Sequence, residues 1–310
     1  MVIRYIKQTN IKYPMKIKFL LTTLVGAFCF GLISCDNDDD TSDSATPMLF
    51  VKFKFDKNQE RLNNVGQPST VAAGNAGLSP DFNKISAHYF ELAPSANTQI
   101  GDGTVLYHAP ETVVGGSKAI DFSQAKIVAE GETFLAIPLS QIAAGTYEWV
   151  RVSLAYQNYE INVRSAGVDY AGTLASFVGY NTYISSFDID NAIFNVNANR
   201  LQGYWAFKLN DIAYQTEGQA PAGATTVPNP IAATSPIPSG SCVVTGKFLN
   251  KLIVTGKEKG NIMMTLSLSV NKSFEWHEET ADGKYEPGIG EYVVDMGLRG
   301  LIPSHQTISR

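Results

Sequence analysis

From Ile262 to Val270 the side chains Ile262, Met264, Leu266, Leu268 and Val270 alternate with Met263, Thr265, Ser267 and Ser269. Successive residues of a strand point to opposite faces, so this period of two predicts a strand with one apolar face and one wet face. Val51, Phe53 and Phe55 alternate with Lys52 and Lys54 in the same way. Short β-branched or aromatic runs bounded by Gly, Asn, Asp and Pro recur at 85–92, 133–139, 147–156, 159–163, 174–178, 192–196 and 204–209. No window places apolar residues at i, i+3, i+4 and i+7 over three turns. Many short strands without intervening helices predict an all-β fold, an antiparallel β-sandwich. With 44% hydrophobic residues and 17% charged ones in 310, the chain has the apolar content a packed core needs and lacks the composition of a disordered one.

The first 34 residues carry Arg4, Lys7, Lys12, Lys16 and Lys18 and no acid, and Phe19 to Ile33 is an apolar run broken only by Thr and Gly. A cationic start followed by an apolar run too short to span a bilayer comfortably is the pattern of a signal peptide, assigned here to 1–34. The run ends Leu32-Ile33-Ser34-Cys35, which resembles the lipobox of bacterial lipoproteins. That resemblance implies lipidation at Cys35 and a membrane partner held through the N-terminal lipid. Residues 35–47 form an acidic tether, with Asp36, Asp38, Asp39, Asp40 and Asp43 in eight residues; like charges at that density repel and stay solvated. The tether also resembles the acidic export signal of Bacteroidetes-type surface lipoproteins, and Asp43-Ser44-Ala45 resembles their short O-glycosylation motif at Ser44. The implied location is the outer membrane at the cell surface, with its periplasmic face as the alternative.

Removing the leader takes the formal net charge from −5 to −10, and discounting the five tether acids returns the remainder to −5. A mildly acidic domain of this kind lacks the concentrated Lys and Arg that a nucleic-acid partner requires. Cys242 is then the one thiol left beside Cys35, so stability must come from apolar burial rather than a disulfide. Residues 48–310 are read as one sandwich interrupted by a Pro-rich loop, 216–241, which holds five of the 14 prolines. A second small β unit after that loop is the alternative.

Between Tyr147 and Tyr214 lie 14 of the 33 aromatic residues. Two readings stand: aromatic filling of the sandwich, or an aromatic β face for a glycan or envelope-protein partner, built from Trp149, Tyr156, Tyr159, Tyr204 and Trp205 with Asn158, Asn181, Asp188, Asp190 and Asn191 to bind hydroxyls. Seven carboxylates and a His between Glu275 and Asp295 suggest a metal loop around His277, Glu278 and Asp282, since Ca²⁺ needs several convergent oxygens. Asp188-Ile189-Asp190-Asn191 reads first as a turn. Cys242, at the start of a strand, reads as a small core residue.

The chain contains no His-Glu-x-x-His helix, Gly-x-Ser-x-Gly elbow or phosphate loop, so the expectation is a non-enzymatic binding protein. Ile85-Ser86-Ala87-His88-Tyr89-Phe90-Glu91-Leu92, then 137–145, then Thr146-Tyr147-Glu148-Trp149-Val150-Arg151-Val152-Ser153-Leu154, resembles the first half of the copper-binding MbnP-like domain. The resemblance implies a β-rich fold and a copper-binding lipoprotein, for which Met263, Met264, Met296, Cys242 and the histidines are the soft or borderline ligands present. Met263 and Met264 are adjacent in a strand and cannot both face one ion. Trp205 would match an aromatic segment of that family, but the His expected after it is absent. A calcium-binding lipoprotein and a glycoside hydrolase complete the alternatives, the latter requiring two carboxylates in one cleft.

Overall fold

The computed structural model describes residues 46–220, 233–296, 298 and 300–309. The leader, Cys35, most of the tether and Ser44 lie outside the described residues. Ala45–Arg310 forms one compact unit, and among the described residues the helical elements are three 3-10 turns of three residues each. The fold is all-β.

Two sheets make the main sandwich. One has the strand order Leu301–Ile308, Asn261–Ser269, Met48–Asp56, Thr133–Pro138. The other is built around Gly145–Ser165, flanked by Asp81–Ala93 on one side and Val168–Phe177 on the other, with Tyr204–Leu209 beyond and Cys242–Val254 also pairing with the long strand. Leu49, Val51 and Phe53 meet Ile262, Met264, Leu266 and Leu268 from the first sheet and Val150, Val152, Leu154, Phe248 and Leu252 from the second in a single buried cluster. The period-two pattern at 262–270 therefore places its apolar residues inward, with Met263, Thr265 and Ser267 partly exposed. Not every pairing is antiparallel. Met48–Asp56 runs parallel to Asn261–Ser269, with Phe53 opposite Leu266, a pairing that only a long crossover permits and that draws the C-terminal segment into the first sheet.

Two smaller sheets cover the far half of the long strand. Asn181–Ile189 and Ala192–Leu201 pair with Ala119–Asp121 and Glu111–Thr112, and their Ile184, Phe187, Ile189 and Phe194 pack on Tyr156, Phe177 and Tyr204. Phe274 and Trp276, from a strand paired with Asn75–Leu78, pack with Tyr159, Leu174 and Phe207. Both faces of the central sheet are thus covered here, which is why this stretch is so rich in rings.

Three sequence expectations change. The runs 147–156 and 159–163 are one strand of 21 residues, Gly145–Ser165. Gln157 and Asn158 look like a break, yet each pairs with a neighbour on either side, and the Gln157 amide donates to the Met296 carbonyl. Residues 216–219, expected within the Pro-rich loop, belong to an edge strand, Gln215–Gln219, that pairs with Tyr204–Leu209. Asn181–Ile189 escaped prediction because a bulge between Ile184 and Ser186 interrupts its two-residue period. Of the turn expected over 188–191, Asp188 and Ile189 belong to the strand, and Asp190 (φ 43°) and Asn191 (φ 63°) are both left-handed between the paired residues Ile189 and Ala192, as a two-residue type I′ hairpin requires.

Candidate functional site

His88, His108 and Glu111 bring one ligand-capable atom each to within 4.8 Å of one another, and no second such group of His, Cys, Asp and Glu occurs among the described residues. The backbone explains the meeting. His88 lies in Asp81–Ala93, whose antiparallel partner Thr104–His108 sets Tyr89 opposite His108. The Ala109 amide then donates to the His88 carbonyl at 2.7 Å, and Pro110, lacking an amide hydrogen, ends that ladder. The chain turns from the central sheet into a smaller one, where Glu111 pairs with Ile120. Gly179 allows this close layering, since a Cβ there would come within 2.5 Å of the Ile120 side chain.

His88 is fully buried, and its ring lies 4.8 Å from that of His108, centroid to centroid. Its Nε2 is 3.3 Å from Glu111 Oε1, while its buried Nδ1 has no hydrogen-bond partner. An imidazole nitrogen enclosed without a partner costs free energy unless something occupies its lone pair or accepts its proton. The Tyr180 hydroxyl donates to Glu111 Oε1 at 2.8 Å, and Lys118 Nζ lies 2.6 Å from Oε2 on a side chain 64% exposed. Burial pushes the Glu111 carboxyl up, but hydrogen bonds from His88, Lys118 and Tyr180 outweigh it and hold the group down at about 2. His108 is lowered from its ordinary value, first by desolvation and then by the neighbouring His88. The carboxylate is therefore ionised and the exposed imidazole favours its neutral form, the states in which each can ligate. This mixed nitrogen and oxygen donor set fits a divalent transition metal.

The residues singled out by sequence fall elsewhere. Among the described residues His277, Glu278 and Asp282 form no ligand cluster, and each has a partner of its own. Glu278 accepts from the Gly283 amide at 2.6 Å, Asp282 pairs with Arg164 at 3.2 Å, and His277 sits 3.5 Å from Glu279. These carboxylates brace a surface loop. Met264 is in the main core, and Met296 packs beside Trp276. Cys242 is buried with its Sγ 3.9 Å from the Leu298 carbonyl, matching its reading as a core residue.

The five rings expected on one face do not share one. Tyr159 and Tyr204 are buried on opposite faces of the central sheet, with Tyr159 donating to the Met296 carbonyl and Tyr204 to Glu217. Trp205 is partly buried against Gly218, where a Cβ would come within 2.7 Å of the indole. Trp149 stands apart beneath Lys247, whose Nζ is 5.9 Å from the ring centroid. Alternation along each strand sends neighbouring rings to opposite sides, and both sides are covered. Tyr156 differs: together with Asn158 and the 187–191 hairpin it lines a cleft of about 520 Å³.

Nothing local in the sequence pairs any of the four histidines. Twenty residues separate His88 from His108, and no spacing rule links them to Glu111; only the strand register and the sheet change do. Comparison of the chain with protein-family models, with curated proteins and with solved structures finds no match.

Proposed function

We propose that this chain is a non-enzymatic binding protein of the bacterial cell envelope, lipid-anchored at Cys35, that holds a divalent transition-metal ion between His88, His108 and Glu111. The observation that carries the reading is the convergence of three ligand-capable side chains, with His88 Nε2 3.3 Å from the Glu111 carboxylate and the His108 ring beside both. Two imidazoles and one carboxylate suit Cu²⁺ or Zn²⁺; Ca²⁺, which takes six to eight oxygens, is poorly served. Of the two favoured ions Cu²⁺ binds a given nitrogen and oxygen site more tightly, in keeping with the copper-binding resemblance of the 85–154 region. Tyr180 would orient the carboxylate from behind, as outer hydrogen-bond partners of metal ligands do. Lys118, long and exposed, neutralises Glu111 when no ion is bound and would swing aside for one.

The full-length chain, purified without chelators and analysed for metals, is expected to carry copper or zinc, and the chelator-stripped protein to rebind one equivalent on titration with Cu²⁺. His108→Ala and Glu111→Gln should each weaken binding by about 10- to 100-fold. Binding untouched by both substitutions, or no binding by the wild type, overturns the reading.

A further inference from the structure

The end of the sandwich at which the N-terminal segment enters carries an apolar and basic protrusion. Met48 opens the first strand there, its amide donating to the Asn261 side chain at 2.9 Å, and the loop 255–260 joins Asn261 to Val254. Cys242–Val254 pairs with Gly145–Ser165, Lys247 standing opposite Trp149 and Leu252 opposite Tyr147. Residues 248–251 therefore face Glu148 alone, and the chain bulges outward. The bulge is braced from two sides: Phe248 is buried in the main core, and His305 Nε2 lies 3.0 Å from the Asn250 carbonyl. Leu249, between them, is held out at 92% exposure. Ile253 pairs with Thr146 and, because Leu252 and Val254 turn into the core, it faces out at 60% exposure. Large apolar side chains held out together mark an interaction surface.

Lys247, Lys251, Lys257 and Lys259 flank these two side chains and are all exposed. Lys247 lies over the Trp149 ring, 5.9 Å from its centroid. The acids beside them are occupied: Glu148 pairs with Lys251 at 2.5 Å, and Glu258 accepts from the Thr255 amide and hydroxyl. Four lysines against one carboxylate between 247 and 259 give this end a local positive charge on a chain of net charge −5. The neighbouring loop 139–146 has no charged residue and exposes Ala143, Ala144 and Gly145, so a flat surface can approach it without burying an unpaired ion.

We propose that this end docks on an anionic lipid bilayer, with Leu249 and Ile253 entering the headgroup boundary, the lysines meeting lipid phosphates and Trp149 lying at the interface. The inference rests on the N-terminal anchor of the proposed function and makes no use of the metal ion. From Cys35 to residue 46 the chain can span at most about 40 Å, so an anchored protein keeps this end close to the bilayer and raises its effective concentration there. The residue types suit the place. An amphipathic ring settles at headgroup level, a lysine buries its stem while its ammonium stays wet, and basic residues are drawn to an anionic leaflet.

The test mixes the full-length chain with phosphatidylcholine vesicles, with and without phosphatidylglycerol, and follows flotation and the quenching of tryptophan by brominated lipids. Trp149→Phe assigns the signal, since Trp276 is fully buried. On anionic vesicles the wild type should float with Trp149 quenched, more strongly than on neutral ones, and high salt should reduce the quenching. Leu249→Asp, and Lys257→Glu combined with Lys259→Glu, should each remove most of the quenching with melting temperature unchanged. Quenching on anionic vesicles by a chain that does not float on neutral ones supports the docking face and counts against the anchor alone. Flotation without quenching of Trp149 shows a working anchor and overturns the docking face. Absence of flotation on anionic vesicles, equal quenching on both kinds of vesicle, or quenching unchanged in both variants overturns it as well.

Discussion

His88 Nε2 and Glu111 Oε1 lie 3.3 Å apart although 23 residues separate them in the chain, and the intervening segment changes sheets between them. His108, at the end of Thr104–His108, closes the triangle.

If that triangle holds an ion, the folded state must be stabilised by it. At free metal one hundred times the dissociation constant the gain is about 2.7 kcal/mol. Adding Cu²⁺ to the stripped wild type should therefore raise its melting temperature by several degrees. Glu111→Gln, which keeps the shape of the side chain, should show little of that rise, as scanning calorimetry with and without metal would reveal.

Glu275 is buried and bonded to Arg61, Asn75 and the Ala72 amide. Burial pushes its carboxyl up, and those donors outweigh burial, so its folded value is below the ordinary one. Glu275→Gln leaves Arg61 with no charge partner in a poorly solvated place and should cost about 3–5 kcal/mol, read by urea denaturation. For a depressed carboxyl the stabilisation is fully present above the unfolded value of about 4.3 and fades as pH falls through the folded value. The difference between wild type and variant should accordingly shrink below about pH 4.

Ala166 has φ 49° and Gly167 φ 79°, between the paired residues Ser165 and Val168. A left-handed alanine costs roughly 1–2 kcal/mol, partly offset in a glycine variant by the larger entropy of its unfolded chain. Ala166→Gly should raise stability by about 0.5–1 kcal/mol. A loss of stability in chemical denaturation would show that the turn does not carry the strain.

At Gly246 a Cβ would come within 2.5 Å of the Leu301 carbonyl oxygen and 2.7 Å of Pro303 Cδ. That glycine lets Cys242–Val254 lie close over Leu301–Ile308. Gly246→Ala should destabilise by about 1–3 kcal/mol or more, whereas Gly288→Ala, with open space around its Cβ position, should change stability little. Parallel thermal melts compare the two.

The legible part of the fold was set by local alternation. At Ile262–Val270 and Val51–Phe55 the choice of face follows from the period of two, because one side of each strand meets a core and the other does not. Where both sides are covered, as along Gly145–Ser165, the alternation disappears and the reading breaks: Gln157 and Asn158 look like a turn, and Tyr156 and Tyr159 look like one platform. Their separation into two different cores depends on where the strands of residues 181–201 and 274–277 pack, which no local signal announces.

The sequence by itself determined the strand-rich character of the chain, the Asp190–Asn191 turn, the opposed faces of Met263 and Met264, and the core role of Cys242. Each rests on the geometry of a few consecutive residues. Only the tertiary structure decided which chemistry-bearing residues meet. His277, Glu278 and Asp282 are close in sequence and are taken up by separate partners, Arg164 among them, while His88, His108 and Glu111 are far apart in sequence and converge. Strand pairing and the change of sheet at Pro110 place them, and both are non-local: each depends on register with chain segments that spacing along the sequence does not specify.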